Sequence, residues 1–182
     1  QKLAVLASQG RPLYGVSFKI VDDQGNSLPW DGHTSGNLMI RGNWVIERYY
    51  GKSESALDQG WFETGDVASM DADGYMRITD RSKDVIKSGV EWISSIAIEN
   101  IAMAHPAIAI AACIAEQSDK WGERPILAVV LREGMQADAE SILALYQGRT
   151  EKWSVPDRVV FIEDMPMTAT GKIQKSELRR RS

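Results

Sequence analysis

The sequence contains little that could form a disulfide or bind a metal ion. Its single cysteine, Cys113, excludes an intrachain disulfide and is typical of a reducing compartment, so we expect a cytoplasmic location. The two histidines, His33 and His105, are far apart and show no metal-ligand spacing. We therefore expect no metal site formed by this chain.

The sequence also lacks long apolar runs and an excess of positive charge. No stretch approaches the roughly 18 apolar residues of a membrane-spanning helix, and the N-terminal residues have no signal-peptide pattern. The formal net charge of −4 argues against general nucleic-acid binding, which needs a basic face. The remaining composition, 43% hydrophobic and 25% charged over 182 residues, is typical of a globular protein with a buried core.

The first 80 residues alternate short β-prone segments with turn residues. Strands are expected over residues 14–22, 36–41, 61–64, 67–70 and 75–79. An Asp-Gly turn between the last two favours a hairpin, and residues 53–57 could form a short helix. This part is therefore predicted to be a small, mostly antiparallel β-module.

After residue 80, helical periodicity appears between the apolar runs. Strands are expected over residues 107–115, 125–131 and 158–162, and helices over about 95–105, 138–150 and 175–181. Ser94 or Ser95 could cap the first helix and Asp138 the second, and Ser88-Gly89 predicts a tight hairpin. The fold class is thus α+β, with residues 1–80 as the β-module and residues 81–182 as a compact α+β domain.

Two segments contain residues that could bind a nucleotide. Gly65 permits close backbone approach, and Asp66 offers two acceptor oxygens suited to a ribose diol. Lys172 follows small residues in a pliable loop, from which its ammonium could stabilise charge during transfer at phosphorus. The loop is not a P-loop, because Ile173 stands where that pattern needs Ser or Thr. Residue types alone favour the plainer alternatives, a turn aspartate and a surface lysine.

Three cations follow the β-module. Arg81, Lys83 and Lys87 would share one face of an extended segment, where they could line a polyphosphate path. Equally, they could form a solvated strand edge that lysines protect from aggregation. Trp92 follows the predicted hairpin and could close over a nucleotide or an acyl chain, although core positions are commoner for aromatics.

Three motifs then occur in one order: GWFETGD at 60–66, TDRSKDVIKSGVEWIS at 79–94 and TATGKIQK at 168–175. Together they resemble the carboxy-terminal third of adenylate-forming (AMP-binding) enzymes, and in particular bacterial medium- and long-chain fatty acyl-CoA synthetases. Each motif alone is weak, but the three at this spacing are specific, and the resemblance covers essentially the whole chain. It implies a ligase of fatty acid metabolism that uses ATP, CoA and Mg²⁺, forming an acyl-adenylate and transferring the acyl group to CoA.

The resemblance also implies roles for the residues around the nucleotide. Asp66 would hold the ribose hydroxyls of ATP and of the acyl-adenylate, and Arg81 would assist at the same ribose. Lys83 would lie at a hinge near residues 80–83 and contact the nucleotide. Lys87 would contact the nucleotide or the phosphate path, and Trp92 would gate acyl-chain entry beside the nucleotide.

Lys172 would be the lysine essential for adenylation, and Gly89 would face the pantetheine of CoA after the small domain rotates. Rotation has a physical reason, since the lysine and the CoA-facing surface need the same space. Two positions depart from the family's pattern. Val90 replaces a second glycine, and Ala97 replaces an acidic residue that would favour the helix dipole; both departures concern the CoA-facing surface.

The sequence lacks the phosphate loop and the glutamate-bearing magnesium motif that such enzymes carry upstream. We therefore expect a fragment: the last β-module of the large domain and the whole small lid domain, inactive in isolation, with the missing N-terminal domain as its partner in cis. Two alternatives stay open. One is the same piece of another adenylating enzyme, such as an amino-acid-activating domain, against which the SGVEWIS stretch argues; the other is a non-catalytic interaction module.

Overall fold

The structure is a computed structural model that describes residues 5–181, and it has the expected α+β class. The chain divides between Lys83 and Asp84 into two compact units, each built on a five-stranded sheet with its own hydrophobic core. Within residues 5–181, every helix is too short or too polar to cross a membrane.

The first unit is an antiparallel sheet centred on a long fourth strand. Its strands are β1 (Val16–Val21), β2 (Ser35–Gly42), β3 (Leu57–Asp58), β4 (Trp61–Met70) and β5 (Met76–Arg81). One edge of β4 pairs with β2, while β3 and β5 pair with its beginning and its end. The core lies on one face and includes Ile20, Leu38 and Met70.

Two local predictions for this unit are wrong. Residues 61–70 form one strand rather than two, because Gly65 adopts a φ of 74° that keeps the strand continuous through an irregularity. The helix predicted over residues 53–57 is absent, and Leu57 instead begins β3. Its partner in that pairing is Phe62, so a tertiary contact overrides the local helix propensity.

The second unit has helices on both faces of a mixed sheet. Its strands are β6 (Ile86–Ser88), β7 (Glu91–Ile93), β8 (Ile108–Ser118), β9 (Gly122–Leu131) and β10 (Arg158–Phe161). Its helices are α1 (Ser95–Ala102), α2 (Ala139–Ala144) and α3 (Lys175–Arg181), with a short 3₁₀ turn at Lys152–Ser154. All strand pairs are antiparallel except β9–β10, which is parallel.

The apolar side of each helix explains why helices cover both faces of the sheet. Ile98 of α1 and Ile142 of α2 pack with the buried Tyr146 on one sheet face, while Leu178 of α3 packs on a second core cluster. Ser94 caps α1 by accepting the Ala97 N–H at 3.2 Å. Both α1 and α2 end earlier than predicted, because tight i→i+3 turns follow Ala102 and Ala144.

Candidate functional site

Asp66 and Arg81 face each other across β4 and β5 in the first unit. Arg81 Nε lies 3.0 Å from Asp66 Oδ1; the carboxylate side chain is 19% exposed and the arginine side chain 60% exposed. The pairing depends on an irregularity between Val67 and Ala68, where the register of the two strands shifts. The result is a shielded carboxylate beside an accessible guanidinium, a combination that can accept diol hydroxyls and bind a neighbouring phosphate.

The backbone around this pair is held by side-chain hydrogen bonds. Thr64 Oγ1 donates to the Leu38 carbonyl at 3.0 Å and accepts the Asp66 N–H at 3.1 Å. On β5, the N–H of Arg81 donates to the buried carboxylate of Asp80 at 2.7 Å. Asp66 and Arg81 therefore stand on backbone that is held in place by the protein itself.

Residues 82–85 form a turn between the two units, and Lys83 is exposed in it. Arg81 ends β5 of the first unit, while Lys87 lies in β6 of the second. The expectation that Arg81, Lys83 and Lys87 share one face of an extended segment is therefore wrong, because the segment between them is not extended.

In the second unit, Lys87 and Trp92 are cross-strand neighbours in the β6–β7 hairpin. Lys87 Nζ lies 4.7 Å from the centroid of the Trp92 ring, a cation–π contact. At the turn, Gly89 has a φ of 64° and donates its N–H to the Trp121 carbonyl at 2.7 Å. Val90 is 93% exposed, so its side chain points outward and does not crowd the turn.

A pocket of about 530 Å³ opens beside Gly89. It is lined by Ser88, Gly89, Val90, Glu91, Trp121, Arg124, Lys152, Trp153 and Asp157. Two exposed tryptophan side chains form apolar walls, and charged groups of both signs lie between them. Such a mixture suits a small organic ligand that has both apolar and charged parts.

Arg124 organises this pocket, and sequence reasoning did not find it. Its guanidinium binds both carboxylate oxygens of Asp157 and donates to the Ser88 hydroxyl and the backbone carbonyls of Trp153 and Val155. The available signal was the run Trp121-Gly122-Glu123-Arg124 at the start of β9, where two charged residues open an otherwise apolar strand.

Lys172 lies in a loop whose backbone is closed by the Met167–Ile173 bridge. Thr168 N–H donates to the Lys172 carbonyl at 2.7 Å, and Lys172 N–H donates to Thr168 Oγ1 at 3.1 Å. Gly171 supplies the positive φ of 76° that the turn needs. The backbone of Lys172 is thus fixed, while its side chain is exposed.

The structure therefore brings Asp66 together with Arg81, and Lys87 together with Trp92. The backbone N–H and carbonyl of Lys172 both hydrogen-bond to Thr168 and not to the β6–β7 hairpin. Among residues 5–181, no group of His, Cys, Asp or Glu side chains could hold a metal ion.

Residues 97–172 match the family described as the AMP-binding enzyme C-terminal domain. Over nearly its whole length, the chain is similar to enzymes of the AMP-binding, adenylate-forming superfamily. It is 57% identical over 173 residues to the 3-methylmercaptopropionyl-CoA ligase of Ruegeria pomeroyi. It is 48% identical over 180 residues to the medium-chain-fatty-acid–CoA ligase of Ectopseudomonas oleovorans. The resemblance carried by the three sequence motifs is thereby confirmed.

These alignments cover 94% and 98% of the chain but only 32% and 33% of the two relatives. The chain thus spans about a third of the length of the curated relatives it matches. A solved structure agrees: o-succinylbenzoate CoA synthetase from Bacillus subtilis, in complex with its acyl-adenylate intermediate, superposes with a TM-score of 0.82 at 28% identity. That superposition covers 98% of this chain and 36% of the synthetase.

Proposed function

We propose that the chain is the carboxy-terminal part of an AMP-forming fatty acid–CoA ligase. Residues 1–80 would complete the large nucleotide-binding domain, which is the partner in cis, and residues 81–182 would form its mobile lid, with a hinge near 80–83. The observation that carries the proposal is the Asp66–Arg81 pair, a shielded carboxylate beside an accessible guanidinium. The high identity to CoA ligases over nearly the whole chain supports it.

In the first half-reaction, a carboxylate oxygen of the acid attacks the α-phosphorus of ATP and pyrophosphate leaves. Asp66 accepts hydrogen bonds from the ribose hydroxyls, and Arg81 holds that carboxylate in place. Lys172 supplies a positive charge beside the phosphorus, where negative charge develops. Lys83 and Lys87 offer further charge to the phosphates. Among residues 5–181 no cluster of His, Cys, Asp or Glu could hold Mg²⁺, so its ligands would come from the upstream domain.

In the second half-reaction, the CoA sulfur attacks the acyl carbon of the adenylate and AMP leaves. The Gly89 turn approaches the pantetheine arm closely because it has no side chain, and the adjacent pocket takes part of CoA between its tryptophan walls. Trp92, stacked against Lys87, lies at the side where the acyl chain enters. Rotation at Lys83 exchanges the Lys172 loop for this surface.

A second candidate substrate is a short thioether acid. One relative named above is a 3-methylmercaptopropionyl-CoA ligase at 57% identity, whereas the medium-chain-fatty-acid–CoA ligase is 48% identical. The acid-binding tunnel would belong to the upstream domain. Acid preference is therefore measured on the chain extended by its own upstream region, with 3-(methylthio)propionate, fatty acids of increasing length and amino acids compared by pyrophosphate release.

The half-reactions are tested in a chimera in which this chain replaces the matching third of the Ectopseudomonas oleovorans ligase. Lys172→Ala should slow adenylate formation by about 10²–10³-fold, the usual cost of removing one charge-stabilising donor. It should leave thioester formation from a supplied acyl-adenylate unchanged. Lys52→Ala, which removes another exposed loop lysine, is the matched control. Equal loss of both half-reactions in Lys172→Ala, or an inactive unsubstituted chimera, would contradict the proposal.

A further inference from the structure

Helix α3, which follows the Lys172 loop, is tied to α1 by a largely buried ion pair. Lys175 Nζ lies 2.7 Å from Glu99 Oε1 and donates to Ser95 Oγ at 2.6 Å. The two charged side chains are only 12% and 16% exposed. Glu99 Oε1 also accepts the N–H of Cys113 at 2.8 Å, which joins the pair to β8.

A second ion pair ties the same helix to the start of the unit. Arg179 lies 2.8 Å from Asp84 Oδ1, with side chains 29% and 14% exposed. Asp84 is the residue directly after Lys83 and begins the second unit. Since Lys175 and Arg179 are four residues apart, they project from the same face of α3. We call Asp84, Glu99, Lys175 and Arg179 the α3 clamp.

Hydrophobic packing alone holds this helix weakly. Leu178 is its one buried residue among those described, and α3 is seven residues long. One apolar contact constrains the orientation of a short helix less than two further ion pairs one turn apart do. The orientation of α3 therefore depends on the clamp.

The Lys172 loop is continuous with the clamped helix. Gln174, between Lys172 and Lys175, donates its N–H to the Pro166 carbonyl at 2.8 Å and so closes the base of the loop. A shift of α3 moves this base directly. The hairpin that carries Gly89 should stay in place when α3 shifts, because β6 is held by its pairing with β7 and β9.

We infer that the α3 clamp is a positioning device for adenylation: it fixes the Lys172 loop relative to Asp84, the point where the second unit leaves the hinge. This inference rests on the proposed function. Asp84 and Arg179 are positioning residues, since they act through α3 and the loop. Loss of the clamp should impair the half-reaction that uses Lys172 and spare the one that uses the Gly89 surface.

The test uses the chimera described above with Arg179→Ala. Misplacing a catalytic group by about 1 Å costs about 10²-fold in rate, so adenylate formation should fall by about that factor. Thioester formation from supplied adenylate should stay unchanged. Arg181→Ala is the matched control, because Arg181 pairs with Glu177 of its own helix, 3.0 Å away, and is 61% exposed. The exchanged pair Asp84→Arg with Arg179→Asp should restore adenylation.

Amide hydrogen exchange on the 182-residue chain provides a readout that does not depend on activity. The amides of Lys172 and Gln174 should exchange faster in Arg179→Ala than in Arg181→Ala. If the unsubstituted chimera does not form adenylate, the proposed function is refuted. Amide hydrogen exchange still tests whether the α3 clamp fixes the Lys172 loop. Three results would each overturn the inference: equal loss of both half-reactions in Arg179→Ala, unchanged amide hydrogen exchange in that variant, or no recovery of adenylation in the double variant Asp84→Arg with Arg179→Asp. If Arg179→Ala does not fold, Asp84→Asn is judged by the same criteria.

Discussion

Arg124 should be the residue on which the pocket beside Gly89 depends. It is 13% exposed and joins four segments: β9, which carries it, β6 through Ser88, the 3₁₀ turn through the Trp153 carbonyl, and the loop before β10 through Asp157. Replacing it with alanine removes every one of these links. Replacing it with lysine keeps the charge and loses the planar fork that serves several acceptors at once.

The expected loss of stability on replacing Arg124 depends on how exposed its partners are. Breaking a fully buried ion pair costs about 3–5 kcal/mol, but Asp157 is 49% exposed and can be hydrated when Arg124 is lost. Ser88 is buried and loses one partner. We therefore expect Arg124→Ala to lower the free energy of unfolding by about 2–3 kcal/mol. Arg124→Lys should lower it by about 1–2 kcal/mol, because one ammonium cannot reach all the acceptors.

Urea denaturation followed by the amide signals of the buried Leu127 and Val129 reports on the second unit specifically. In the chimera, Arg124→Ala should also raise the KM for CoA and leave adenylate formation unchanged, because we propose that this pocket takes part of CoA. A stability loss below about 1 kcal/mol would refute the reasoning, since that is the value of an ordinary surface pair. Equal stability of Arg124→Lys and the unsubstituted chain would show that the fork geometry is dispensable.

Two further predictions concern the first unit. Gly36→Ala would place a Cβ 2.6 Å from the backbone carbonyl oxygen of Val21, so we expect a loss of about 1–3 kcal/mol in urea denaturation; unchanged stability would contradict this contact. The pKa of Asp31 is lowered to about 2, chiefly because the hydroxyl of Thr34 donates to it. Its stabilising contribution should be complete above its ordinary pKa of 3.8 and be lost as the pH falls towards 2. In an NMR titration, Thr34→Ala should raise the midpoint of Asp31, and an unmoved midpoint would refute the assignment.

Local chemistry in the sequence predicted much of the fold. Ser94, one of the two serines predicted as caps, caps α1, and Asp138 caps α2 as predicted, since capping depends on a side chain and the next three residues. The break predicted between residues 64 and 67 is wrong, because the positive φ of Gly65 is accommodated within one continuous strand. A glycine flanked by Thr and Asp is compatible with both structures, and the pairing with β2, which reaches from Phe62 to Ser69 of β4, decides between them.

The candidate site was less predictable, because its contacts are not local. Asp66 and Arg81 meet only through a register shift that the alternation of apolar residues does not reveal. Arg124 reaches Ser88 and Asp157, which are 36 and 33 residues away along the chain. A charged residue at the start of a strand is ordinary, so its role as the organiser of a pocket becomes visible only when the strands are assembled.

The backbone on either side of Lys83 supports the proposal that this residue is the pivot. Ser82 is anchored to the first unit, because its N–H donates to the Gly65 carbonyl at 3.0 Å and its hydroxyl to Asn37 Oδ1 at 2.9 Å. Asp84 is anchored to the second unit by Arg179. Because each unit has its own core, a change of the Lys83 torsions would leave the packing within each core unchanged. A rotation confined to one residue between two anchored neighbours would move each unit as a rigid body. Lys172 and Gly89 belong to the same unit, so the proposed rotation would replace one by the other at the active site without any change within that unit.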